Sequence, residues 1–220
     1  MSTSEIKKAI DDIIDKSFKV IKNVYEFQKE SKTINKQKSL SGIGSRILFP
    51  KYSKHHNNSK ERDRISEQEL RFVFIEQLNK VARKHKLYYS VETPTENAYV
   101  FSKDKEGPKV DKKNGVSART DLVIHKIDND KFRRVALIEF KALNPVETNY
   151  QKDFCKLENE KCDLKYFIQI IKNSDTDTID NIKKKIANKK SDIIFRCYCL
   201  DRGVEIKLEP KECESLSTAE

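Results

Sequence analysis

An unbroken apolar run that ends in charge constrains this chain most. Val135-Ala136-Leu137-Ile138 leads straight into Glu139-Phe140-Lys141-Ala142. Apolar residues without alternation mark a central strand buried on both faces. Charges closing such a strand need a reason, because desolvating them unpaired is expensive. An earlier run, Arg119-Thr120-Asp121-Leu122-Val123-Ile124, is opened by an acid, with seventeen residues between Asp121 and Glu139. Paired as sheet neighbours, the two runs bring two carboxylates and an ammonium to one sheet end. Hard oxygen donors beside a cation suit a divalent metal and an activated water. The plainer alternative is an ion pair that caps the strand end.

The triplet Glu-x-Lys says little by itself, since it occurs five times, at Glu5, Glu30, Glu139, Glu205 and Glu209. Context separates the copies. Glu5 and Glu30 fall near the two ends of an expected helix, and Pro210 follows Glu209 in a tail. Glu205 and Lys207 alternate with Val204, Ile206 and Leu208, so they are expected to face solvent. Only the Glu139 copy follows a buried strand.

Residues 4–28 read as an amphipathic helix capped by Ser4, with Ile6, Ile10, Ile13, Ile14, Phe18, Ile21, Val24 and Tyr25 at helical spacing. Its stripe serves either packing on the main domain or a partner helix, and packing is expected. Residues 31–64 look irregular and carry nine Lys or Arg against two acids, seven of the ten net positive charges. Such a loop either contacts phosphates or is a solvated linker. His55 and His56 are expected to be exposed. A second helix spans 66–86, where Ser66 and Glu69 form a capping box, and Leu70, Phe72, Val73, Phe74, Ile75, Leu78, Val81 and Ala82 are expected to bury much of it. Glu69 and Glu76 share a face. Strands follow near 87–92 and 98–101, then a loop over 103–117 that is either a flap or a hairpin tip. After the two charged strands come a helix at 147–160, a buried strand at 166–171, and a helix at 176–189 whose acids precede its lysines. A hairpin, 193–200 and 204–208, turns at Asp201-Arg202-Gly203, and a polar tail closes the chain. This order predicts an α/β chain, a mixed sheet flanked by helices.

A net charge of +10 and a pI of about 9.2 favour an acidic partner such as DNA. RNA stays open as a partner, although no RNP-type aromatic motif appears. No run approaches a membrane span, and no signal-peptide core follows Met1, so the expectation is a cytoplasmic chain without a membrane partner. Five cysteines without CxxC spacing read as reduced thiols. Walker A, GxGxxG and GxSxG motifs are absent from the sequence.

Asp121 followed by Glu139-Phe140-Lys141 at the end of an apolar strand resembles the PD-(D/E)XK nuclease superfamily. The resemblance covers 66 to about 172, roughly half the chain, and Thr120 stands where the family pattern has proline. It implies a restriction-endonuclease-like core over 65–210, an N-terminal helical and basic extension over 1–64, and a tail over 211–220. Asp121, Glu139 and the Phe140 carbonyl would then hold Mg²⁺ or Mn²⁺, and Lys141 would orient or help deprotonate the attacking water. Glu69 would supply the third carboxylate, with Glu76 as fallback and Glu92 behind it. Arg119 would meet the scissile phosphate, with Lys51, Lys54, Arg62 and Arg64 contributing phosphate contacts. Gln169 would lie near the site. The implied function is metal-dependent hydrolysis of phosphodiester bonds in DNA, with restriction or anti-phage defence as the associated setting. The alternative is a catalytically silent nucleic-acid-binding or assembly protein on the same fold. A homodimer or an activating partner protein is compatible with either.

Overall fold

The computed structural model describes residues 1–30, 44–52, 62–100, 109–143, 147–172, 180 and 192–210. The helix expected over 176–189, His55, His56, Lys54 and the tail over 211–220 lie outside the described residues. Helix α1 spans Thr3–Glu30 and is followed by a two-residue ladder, β1 (Lys51–Tyr52) with β2 (Arg62–Asp63). Helix α2 (Glu67–His85) leads to β3 (Leu87–Val100), β4 (Lys109–Val110), β5 (Val116–Asp128) and β6 (Lys131–Ala142). Then come α3 (Glu147–Asn159), β7 (Leu164–Ile171), β8 (Ile193–Cys199) and β9 (Val204–Leu208). The class is α/β. One seven-stranded mixed sheet runs β4-β3-β5-β6-β7-β8-β9, in which β6, β7 and β8 are mutually parallel and the remaining pairs antiparallel.

Local chemistry explains the connections. Asn129 and Asp130 both take positive φ, 48° and 59°, between the paired Asp128 and Lys131, which is the two-residue turn that matches strand twist. Parallel pairing of β6 with β7 requires a crossover, and α3 supplies it. Strands β7 and β8 are buried along their whole length, as unalternating apolar runs require.

Period-two alternation sorts the core onto two faces. Leu122, Ile124, Ile138 and Phe140 pack with α1 and α2, whereas Val123, Leu137, Phe167 and Phe195 pack with Phe154 and Leu157 of α3. The stripe of α1 lies in the first of these clusters beside Leu70, Val73 and Tyr198, so the core runs unbroken across residue 64. Each such side chain contributes about 1.5–3 kcal/mol when fully buried. That commits the α1 stripe to intramolecular packing. One expectation is corrected here. Phe72 is exposed on α2, because the buried arc passes through Leu70, Val73 and Phe74 instead. Glu205 and Lys207 are exposed as expected, and the Glu205 carboxylate also pairs with Arg196. Among the described helices none is long and apolar enough to cross a membrane.

The two strands expected near 87–92 and 98–101 form one long strand whose pairing with β5 slips between Pro94 and Ala98. Glu160, at the end of α3, holds the irregularity. Its carboxylate accepts the backbone N–H groups of Glu96 and Asn97 at 2.7 and 3.0 Å and the Tyr99 hydroxyl at 2.9 Å. Hydrogen bonds to a charged group contribute about 1.5–3 kcal/mol each, and removing the acceptor strands three donors. Glu160→Ala should therefore cost about 3 kcal/mol in urea denaturation. A loss under about 1 kcal/mol would show that the slip is held by strand pairing alone.

Candidate active site

Three adjacent strands bring acids to one level of the sheet. Leu122 pairs with Ile138, which sets Asp121 opposite Glu139, and Val91 and Thr93 pair with Leu122 and Thr120, which sets Glu92 opposite Asp121. Asp121 Oδ2 accepts the Phe140 backbone N–H at 2.8 Å, so the carboxylate takes the place of a ladder bond between β5 and β6. Glu92 has a positive φ of 48°, uncommon for a residue with a Cβ. Arg71 on α2 reaches between the two acids, bonding Glu92 and standing 3.8 Å from Asp121 Oδ1.

Glu139 is 1% exposed, on the face covered by α3. Lys156 Nζ lies 2.7 Å from Glu139 Oε1, 2.8 Å from Asp153 Oδ1 and 2.7 Å from the Arg119 carbonyl oxygen. Lys141 Nζ lies 2.9 Å from Asp153 Oδ2 and 3.3 Å from Glu67 Oε2. A chain of alternating charge therefore runs Glu67, Lys141, Asp153, Lys156, Glu139, with Asp121, Arg71 and Glu92 beside it.

Burial pushes the Glu139 carboxyl well above its ordinary range, and the charges of Asp153 and Asp121 add to this, against an opposing pull from Lys156. For Lys141 burial acts downward, but attraction from Asp153, Glu67 and Asp121 outweighs it and the net shift is upward. Lys156 behaves likewise, with Glu139 and Asp153 overcoming desolvation. Both lysines are firmly held as ammonium ions.

The structure brings together Asp121, Glu139, Phe140 and Lys141, as the sequence led one to expect. It places Glu69 elsewhere. The Glu69 carboxylate accepts the Ser66 backbone N–H at 3.0 Å and the Ser66 hydroxyl, so it closes the start of α2. The α2 acid that reaches Lys141 is Glu67, two residues earlier. Glu76 is not among the residues in contact with the site, whereas Glu92, ranked behind it, stands opposite Asp121. Arg119 exposes its side chain, and among the described residues no carboxylate pairs with it. Arg64 is exposed, while the side chains of Lys51 and Arg62 lie outside the described parts. Gln169 is fully buried beside Lys141 in the β6–β7 register and donates through Nε2 to the Leu143 carbonyl at 2.8 Å. Its Oε1 has no hydrogen-bond partner among the described residues.

Sequence reasoning missed Arg71, Asp153 and Lys156. A usable signal exists for the last two. Asp153 and Lys156 are an i, i+3 charge pair interleaved with Phe154 and Leu157, the apolar residues that must face the sheet. Acid and base at that spacing on the buried arc of a helix need partners on the strand beneath.

Among the described residues, no three Asp, Glu, His or Cys side chains converge as a closed metal site. The register sets two carboxylates, Asp121 and Glu139, opposite each other, hard oxygens of the kind Mg²⁺ takes beside the waters it retains. Among the described residues, Glu67, Glu92, Asp121, Glu139 and Asp153 meet Arg71, Lys141 and Lys156, so acids outnumber cations there. Comparison of the chain with protein-family models, with curated proteins and with solved structures gives no match of any of the three kinds.

Proposed function

We propose that this protein is a metal-dependent nuclease that hydrolyses phosphodiester bonds in DNA. The observation that carries the reading is the meeting of Asp121 and Glu139 on neighbouring strands, with the Lys141 ammonium two residues beyond Glu139 and held by Asp153 and Glu67. The element order supports a restriction-endonuclease-like core. Helix α2 is followed by four strands, of which β3, β5 and β6 pair antiparallel side by side, then by a crossover helix and a strand parallel to β6.

Asp121, Glu139 and the Phe140 carbonyl would hold Mg²⁺ or Mn²⁺, which supplies Lewis acidity at a phosphoryl oxygen and makes water a stronger acid. The chain's own groups do the rest. Lys141 is held protonated by Asp153 and Glu67, so it donates hydrogen bonds and does not act as a base. It orients the attacking water and offsets charge that develops on the phosphoryl oxygens. Arg119, exposed two residues before Asp121, binds the flanking phosphate. Without a cation the acids would repel DNA, which ties binding at the site to metal.

Nicking of supercoiled plasmid and cutting of short single-stranded DNA with Mg²⁺ or Mn²⁺, beside an EDTA control, tests the reading. Metal-dependent cleavage lost in Asp121→Asn is the expected result. Cleavage that persists in EDTA or in Asp121→Asn would sink it.

A further inference from the structure

Lys156 lies outside the strand-end triplet, and its surroundings are those of a cation site. An ammonium carries three protons, and three oxygens stand at bonding distance, Glu139 Oε1 at 2.7 Å, Asp153 Oδ1 at 2.8 Å and the Arg119 carbonyl at 2.7 Å. Its side chain is 10% exposed. Held within 2.8 Å of two carboxylates and bonded to a carbonyl, Lys156 is committed to these oxygens. Two anionic oxygens and a carbonyl around one centre are also the donors a hard divalent cation takes. Helix α3 fills that centre with a charge of its own.

Resting on the nuclease reading, we propose that Lys156 is a built-in cation occupying a second metal position, so that the site takes one divalent ion and not two. The ammonium engages Glu139 through Oε1 and leaves the ion Oε2, together with Asp121 and the Phe140 carbonyl. Lys156 is thus a positioning residue for Glu139. Asp153 is no metal ligand in this arrangement, because its two oxygens serve Lys156 and Lys141.

The test is a Mn²⁺ titration of the full chain, followed by calorimetry and by the electron paramagnetic resonance signal of free Mn²⁺, with plasmid cleavage run in parallel. One ion is expected on the wild type, one on Asp153→Asn, and two on Lys156→Ser, where the vacated oxygens form an open centre. Two ions on the wild type would overturn the proposal, as would a folded Lys156→Ser that still binds one. If Lys156→Ser does not fold, the other two proteins decide, because a two-ion site using Asp153 gives two on the wild type and one on Asp153→Asn. A wild type that binds no Mn²⁺ and cuts nothing brings down the nuclease reading itself. One ion with cleavage, and still one on Lys156→Ser, removes this inference alone.

Discussion

Glu139→Gln abolishes metal-dependent cleavage and, in EDTA, raises the melting temperature of the protein. Both effects come from one fact, a carboxylate buried beside two others. In the folded chain the Glu139 proton is held more tightly than in the unfolded chain, because burial and the charges of Asp153 and Asp121 outweigh Lys156. The sign follows from linkage. A group whose folded pKa is raised contributes stability that is full below its unfolded pKa and is lost as pH rises through the folded value. The ionised form therefore strains the fold, and glutamine, with the same shape and no charge, relieves it. Lys156 keeps Asp153 and the Arg119 carbonyl in the variant, so it is not stranded. Activity falls at the same time, since an amide is a poor ligand for Mg²⁺ and the site loses one of its two strand acids. The expected loss is at least about 10²–10³-fold, the scale of removing one electrostatic element of a transition-state site. Thermal melts from pH 5 to pH 9 with and without Mg²⁺, paired with plasmid cleavage, check it. The gap between variant and wild type should open as pH rises in EDTA and close or reverse with Mg²⁺. A variant less stable than wild type across the whole range in EDTA would mean that the Glu139–Lys156 pair is a structural ion pair.

That trade of stability for function explains what could be read from the sequence. Glu139 and Lys141 betrayed themselves because charge at the end of a buried strand breaks the apolar pattern, and local rules fail where sites are built. The Asp121 level was legible for the same reason. Strand pairing, the α3 crossover and the α1 stripe followed from periodicity. Glu69 misled because one residue met two descriptions, a helix cap and a helix acid near a strand end, and the cap is the local and nearly obligatory partner. Glu67 gave no signal, since a first-turn acid is ordinary. Arg71 escaped because its meaning depends on which strand lies beside its helix, whereas the spacing of Asp153 and Lys156 on a buried arc marks them as needing partners but does not name the strand that supplies them. Glu92 ranked low because its positive φ, which sets it opposite Asp121, is a tertiary outcome and not a sequence pattern.

Arg196→Met should cost about 3 kcal/mol of stability while leaving cleavage by the folded protein intact. Arg196 stands in the middle of β8, 3% exposed, on the face that α1 covers, between Ile194 and Tyr198. Its guanidinium meets Asp11 Oδ1 at 3.1 Å and also bonds Asp15 and Glu205. Asp11 and Asp15 are one helical turn apart on α1, flanking the buried stripe, so a single side chain joins the helix to β8 and to the edge strand β9. Removing one partner of a buried ion pair costs about 3–5 kcal/mol. The lower end applies here because Asp15 and Glu205 are partly exposed and can rehydrate. For a chain of this size that is a fall of about 6–12 °C in melting temperature. Glu205→Ala, which leaves Arg196 its two α1 partners, should cost only about 1 kcal/mol. None of the site residues on α2, β3, β5, β6 and α3 pairs with Arg196, so Mn²⁺ binding and plasmid nicking measured well below the melt should match wild type. A melting temperature within about 2 °C of wild type would show that the apolar stripe alone holds α1 in place. Lost cleavage with unchanged stability would instead move Arg196, and the α1 face of the sheet with it, into the functional surface.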